Sequence, residues 1–207
     1  MKKIDGTDKI LYFLLAALIL FGVFIFINQK YGLIGNKYEW SNGATTFTVY
    51  KIKNGEVNFY RIPVFFDKGN EYYPLTLRYG PREVDDIAVE GSPKEIIRDD
   101  QKLFLSVAPI QDYTVRTAIG MKEIEEVLVS KYFYGKPVEY AVTQEYGNKT
   151  IATCSDAKPM NSVIWFTLGD TTKVHAEGDC IVVQGTTEDE IVRAADRLVL
   201  NILGISP

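Results

Sequence analysis

The chain has 207 residues, with 23 basic against 27 acidic side chains and a net charge of −4. That acidity, with no basic stripe along the chain, excludes nucleic acid as a partner. Two cysteines and one histidine are too few for a structural zinc site, and they leave little room for histidine-dependent chemistry.

The first element is an 18-residue apolar run, Ile10 to Ile27, closed by Lys9 on one side and by Asn28, Gln29 and Lys30 on the other. As a helix it reaches roughly 27 Å at about 1.5 Å per residue, near the hydrocarbon thickness of a bilayer. The expectation is an uncleaved single-pass transmembrane helix over 10–28, with the lipid bilayer as its partner. The run is too long for a secretory apolar region, and it ends without an A-x-A cleavage pattern. A pilin-like reading, prompted by Gly6, fails because Asp5 replaces the basic residue expected before the cleavage point. Lys2, Lys3 and Lys9 outweigh Lys30 and Lys37, which puts the N-terminus in the cytoplasm. The predicted order is a cytoplasmic tail over 1–9, a linker over 29–43 and an extracytoplasmic domain over 44–207. Tyr31, Tyr38 and Trp40 suit either an aromatic belt or the first core positions of that domain.

The expected fold class is α+β or α/β, with an antiparallel β meander over 44–80 and an α/β part over 100–205. Thr45–Ile52 and Val57–Phe66 flank Asn54-Gly55, a strong hairpin marker, and Tyr73–Tyr79 adds a third strand. Pro63 inside the second run predicts an edge or a bulge. Val84–Val89 reads as a short connection. Lys102–Val107, a helix over Thr117–Lys131 and Val138–Thr143 then have the order of a βαβ crossover. Strands over Ser162–Leu168, Lys173–Ala176 and Cys180–Val183 follow. The closing helix, Thr186–Leu203, has Thr187 as its cap, three carboxylates in its first turn and Gly204 at its stop. Leu200 is expected on the exposed side of that helix, among Arg193 and Arg197.

Candidate chemistry is sparse. His175 has no G-x-S-x-G partner segment, so a surface strand position is expected for it. The Gly185-Thr186-Thr187 turn resembles an anion-binding helix start, but the carboxylates after it would repel phosphate. With no glycine-rich phosphate loop, no cofactor is expected. Acidic groups at Glu83, Asp85 and Asp86, at Asp99 and Asp100, and at Glu123, Glu125 and Glu126 are the remaining route to calcium binding or acid–base work on glycans. Solvated charge is the default reading of all of them. Tyr132-Phe133-Tyr134 and Tyr72-Tyr73 suit stacking on sugars or peptides, or plain packing. The cysteine pair, Cys154 and Cys180, fits one disulfide of an exported domain, with two buried thiols as the alternative. Closing the 25 intervening residues is worth about 3.5 kcal/mol in the chain-entropy model. Asn148-Lys149-Thr150 is a glycosylation acceptor, which places Asn148 in a surface turn.

Three stretches together are similar to a group of uncharacterised archaeal proteins with one N-terminal membrane helix and an outward-facing domain. They are Arg78–Val89; the series Cys154, Val163-Ile164-Trp165, Thr172-Lys173-Val174 and Gly178-Asp179-Cys180-Ile181-Val182-Val183; and Ile191–Ile205, with its A-A-D-R-L and L-G-I marks. The resemblance implies a bridge between the loop after the βαβ unit and the penultimate strand region, and it implies no activity. The functional expectation is a non-enzymatic interaction or structural domain at the cell surface, whose partners are other membrane or cell-surface proteins. An accessory subunit of a membrane complex, packing through Ala16, Ala17 and Gly22, and a carboxylate hydrolase of surface glycans or peptides are the alternatives.

Overall fold

The computed structural model describes residues 12, 14–23, 36–66, 71–109 and 115–206. The chain divides into two compact units, Met1–Tyr38 and Glu39–Pro207. In the first, residues 14–23 are helical with exposed side chains. That stretch rises about 15 Å, half the span a bilayer demands. Among the described residues no helix is long and apolar enough to cross a membrane. This corrects the transmembrane helix expected over 10–28. Residues 10, 11, 13 and 24–28 of that expectation, and the tail over 1–9, lie outside the described residues.

The second unit is α+β. Its first sheet is antiparallel, with strand order β1 (Lys37–Ser41), β2 (Thr46–Asn54), β3 (Val57–Phe65) and β4 (Tyr72–Leu77). Asn54 pairs with Val57 across a turn in which Gly55 has φ 62°, the left-handed value that hairpin turns require and glycine tolerates. β1 falls inside the segment read as linker, and Trp40 lies on it. The Trp40 indole N–H donates to the Ile205 carbonyl at 3.0 Å, and Asn42 Nδ2 donates to the Gly204 carbonyl at 2.6 Å. Pro63 sits in an inner strand rather than at the sheet's edge. The β2–β3 ladder ends at Arg61, so its missing N–H falls where β2 asks for no donor.

Strand periodicity sorts this sheet into two faces. Val49, Tyr60, Ile62, Leu75 and Leu77 point inward and are buried. Tyr50, Arg61, Phe65, Tyr72 and Pro74 alternate with them and are exposed.

The second sheet is mixed, in the order β5 (Ala88–Glu90), β9 (Lys173–Glu177), β10 (Cys180–Gly185), β8 (Asn161–Leu168), β6 (Lys102–Val107) and β7 (Val138–Val142). The α-helices described before the last one are α1 (Pro81–Val84), α2 (Pro93–Asp99) and α3 (Val115–Val129). The closing helix is α4 (Glu188–Ile202). β6 and β7 pair in parallel on either side of α3, the crossover read from the strand–helix–strand order. The segment 84–89, expected as a connection, contributes β5, which pairs parallel to β9.

One sheet face carries Leu103, Leu105, Ile164, Phe166, Ile181 and Val183, all buried beneath the helices. On the other, Ala141, Val163, Cys180 and Val182 pack with Ala152, Cys154, Ala157, Phe104 and Trp165 under the 143–160 loop.

α4 is the centre of the unit. Thr187 Oγ1 accepts the Glu190 N–H at 3.2 Å, the cap expected from the sequence, and Gly204 takes φ 70° just past its end. Leu200 is fully buried, which corrects its expected exposure. The arginines on that side of the helix also turn inward, to backbone carbonyls. Arg197 Nε donates to the Ile87 carbonyl at 2.8 Å, and Arg193 donates to the Glu83 carbonyl and to Asp86. The 81–90 segment therefore covers the side of α4 that looked free. On the opposite side, Gly120 of α3 lets the two helices approach closely. A Cβ there would stand 2.9 Å from the Ala195 Cβ.

Candidate functional site

Two surfaces of the second unit merit attention, one concave and one flat. The concave one is a cleft of about 530 Å³ between the β2–β3 hairpin and the N-terminal turns of α3 and α4. Tyr60 comes from β3, Arg78 and Tyr79 from the bend after β4, Glu83 from α1, and Arg116, Ile119, Asp189 and Val192 from α3 and α4. Arg116 is ion-paired with Asp189 across the helix ends. Arg78 lies 4.8 Å from the Phe59 ring centroid, a cation–π distance. Burial, with a hydrogen bond to Glu83, pushes the Tyr60 phenol upward. Burial, with Asp189 and Asp196 nearby, does the same to Tyr79. Both rings are therefore neutral donors at physiological pH.

Behind the cleft wall lies a pair of carboxyls that solvated charge does not explain. Glu123 on α3 and Asp196 on α4 each shift the other's proton affinity, Asp196 is fully buried, and Asp196 Oδ1 and Glu123 Oε2 are both shut off from solvent. Tyr79 N–H donates to Asp196 Oδ2 at 2.7 Å. Burial is the main cause that raises both acids: Glu123 is pushed up to about 7, and Asp196 stands well above the usual carboxylate range. A glycosidase separates its two carboxyls by about 5 to 9.5 Å to admit a nucleophile or a water. Asp196, which solvent does not reach, has no access to a glycan.

A raised carboxyl stabilises the fold fully below its unfolded value and loses that contribution as pH rises through the folded one. For Glu123 the window runs from about 4.5 to about 7. Stability to urea should therefore fall by on the order of 2 kcal/mol between pH 5.5 and 8.5. The Glu123→Gln variant should show a much flatter profile. Equal slopes for the two proteins would remove Glu123 as the cause.

The other sequence candidates are scattered. Asp86 pairs with Arg193, Asp99 with Arg98, and Glu125 with Lys122 and Tyr140, while Asp85 is exposed. Asp100 is buried beside a hollow of about 380 Å³ that Glu95, Asp99 and Asp179 also line. Among the described residues no three His, Cys, Asp or Glu side chains group to hold a metal ion. His175 Nε2 lies 3.0 Å from Glu177, its neighbour along β9. Cys154 and Cys180 form a disulfide, so the 143–160 loop is bonded to β10. Asn148 is exposed in a turn of that loop.

Asp196 is the functional-looking residue that sequence reasoning passed over. Its signal was positional: one turn from both Val192 and Val199, it shares their apolar helix face. Glu123 stands in the same relation to Ile119 and Val127.

The flat surface is the outer face of the first sheet. Phe65 and Tyr72 are register partners with centroids 5.6 Å apart, 63% and 55% exposed. The Pro63–Pro74 pair lies two residues along, with Tyr50 and Arg61 beside it on β2 and β3. On the inner side of the same hairpin, Phe66 and Tyr73 pack against Tyr132 and Phe133, and Tyr73 Oη donates to Glu126 at 2.5 Å. The aromatic segments 72–73 and 132–133 thus meet. Most of their contact is packing, and Tyr72 is left facing solvent.

Comparison of the chain with protein-family models, with curated proteins and with solved structures finds no match.

Proposed function

We propose that the Glu39–Pro207 unit is a non-enzymatic binding domain working outside the cytoplasm, and that it holds a cell-surface protein partner against the outer face of its antiparallel sheet. The observation that carries this reading is the ridge of Phe65, Tyr72, Pro63 and Pro74. Large rings half or more exposed are costly in water unless a partner removes them from it. The disulfide supports an oxidising compartment, because cytosolic thiols are kept reduced. An exposed Asn148 acceptor belongs to the same reading, and intact-mass measurement of the native protein would register its glycan.

The test compares wild type with a Phe65→Ala/Tyr72→Ala double variant, each immobilised and exposed to gently solubilised surface proteins of the native cell. Both substitutions fall on solvent-facing positions, so stability should change by less than about 1 kcal/mol. The expected result is a partner retained by the wild type and lost at least tenfold from the variant. Equal retention by both proteins, or no specific partner for either, would sink the reading.

A further inference from the structure

Four carboxylates from two distant parts of the chain line one hollow of about 380 Å³. Glu95 and Asp99 stand one turn apart on α2, Asp100 follows as the residue that caps its end, and Asp179 lies in the turn between β9 and β10. Ile96, Pro159 and Met160 form the rest of the wall. We propose that this hollow receives an organic cation, an ammonium or guanidinium group carried on an apolar stem. That is the chemistry of a lysine or arginine side chain, or of a small free amine.

Asp100 gives the hollow its character. It is 3% exposed, and its Oδ2 has no hydrogen-bond partner among the described residues. A carboxylate oxygen kept from water without a donor is costly, and its field is poorly screened, so a cation entering beside it is strongly attracted. Burial makes Asp100 harder to ionise and Asp179 adds repulsion, while Ser162, the Met160 backbone and Lys136 work the other way. A cation between the two acids removes the repulsion.

The chain's own cations leave these carboxylates largely available. Arg98 pairs with Asp99 at 2.9 Å, but both side chains are more than 60% exposed, and such a pair is weak and readily exchanged. Lys136 Nζ donates to the Arg98 carbonyl at 2.8 Å and to the Asp100 carbonyl, so it rests on backbone oxygens. An ammonium is thus already accepted at the end of α2. A divalent metal would need oxygen ligands converging on one point at about 2.0 to 2.6 Å. Among the described residues no three acidic, His or Cys side chains group in that way. Carboxylates spread around a hollow suit the longer hydrogen bonds of a larger head group. The apolar wall suits its stem. Met160 is 47% exposed and holds φ 76°, and its carbonyl accepts the Gln101 and Lys102 N–H groups at 3.1 and 3.2 Å, which keeps the Pro159-Met160 corner beside the acids. The bridge at Cys180, next to Asp179, ties the loop that ends in this corner to β10. The hollow shares no residue with the ring face, so the two sites stand or fall apart.

Amide NMR of the full chain tests the site, with Nα-acetyl-lysine amide, Nα-acetyl-arginine amide, n-butylamine, Nα-acetyl-norleucine amide and calcium chloride as probes at constant ionic strength. Saturable shifts are expected at amides around residues 95–101 and 179 with the organic cations, and none with the norleucine amide, which has the stem without the charge. Asp100→Asn should weaken binding about tenfold, and Asp179→Asn, at a half-buried turn position, about fivefold. Should Asp100→Asn fail to fold, Asp179→Asn decides. Tighter binding of the capped lysine or arginine than of n-butylamine supports a protein side chain as the source, and the reverse order supports a free amine. No saturable shift with any organic cation, equal shifts with the norleucine amide, or unchanged affinity in Asp179→Asn overturns the proposal. Calcium saturating the same amides at lower concentration than the organic cations also overturns it, because the hollow is then a metal site.

Discussion

Opening the Cys154–Cys180 bridge should lower the stability of the Glu39–Pro207 unit by about 3.5 kcal/mol, the loop-closure entropy restored to the unfolded chain. The native state loses something as well. The bridge holds the 143–160 loop over Ala141, Val163 and Val182, so a freed loop exposes part of that apolar face and the half-buried Trp165 beside it. Ser106 Oγ donates to the Ala152 carbonyl at 2.5 Å, and the 142–152 backbone bonds persist without the bridge. The fold should therefore be weakened without being lost. Urea unfolding of oxidised protein, reduced protein and a Cys154→Ala/Cys180→Ala variant measures the effect. The reduced protein and the variant should unfold at similar, lower urea concentrations, and reductant should not affect the variant. If oxidised and reduced protein unfold together, the bridge has no role in stability.

The second large effect is expected at Gly185, where β10 hands over to α4. A Cβ there would stand 2.3 Å from the Ile191 nitrogen, 2.6 Å from the Glu190 carbonyl carbon and 2.8 Å from the Thr187 oxygen. These are backbone atoms of the first turn of α4, and they cannot rotate aside as a side chain would. Relief requires shifting the central helix of the unit away from its sheet. Gly185→Ala should cost about 3 kcal/mol or more. Gly178→Ala is the informative control. Gly178 has φ 60° with nothing within 4 Å of a Cβ, so only the left-handed conformation is penalised, by about 1 kcal/mol. Comparable losses at the two positions, read from denaturation midpoints, would mean that the close approach at Gly185 carries no special weight.

Local elements were legible where a single stretch of chain carries its own cause. Asn54-Gly55 marks the hairpin because the turn needs a residue that accepts positive φ. Thr187 marks the start of α4 because an uncapped helix leaves donors unsatisfied. The alternation from Val57 to Phe65 separates Tyr60 and Ile62 from Arg61 and Phe65 with no knowledge of what covers either face.

The candidate site was much less legible, because each of its parts needs two distant segments. Glu123 and Asp196 each look like ordinary helix-surface acids, and only the crossing of α3 and α4 turns them into a buried pair. Leu200 reads as exposed until Arg193 and Arg197 are found bonded to the 81–90 segment.

The amino-acid order by itself determined the acidic character of this protein, the positions of most strands and of both long helices, and the two cysteines available for pairing. Those properties depend on charge count and on contacts a few residues apart. The tertiary structure alone decided which acids lose their solvent, which helix becomes the centre and which sheet face stays bare. Burial is a property of the assembled layers, and a side chain's charge state and contacts follow from what is packed over it.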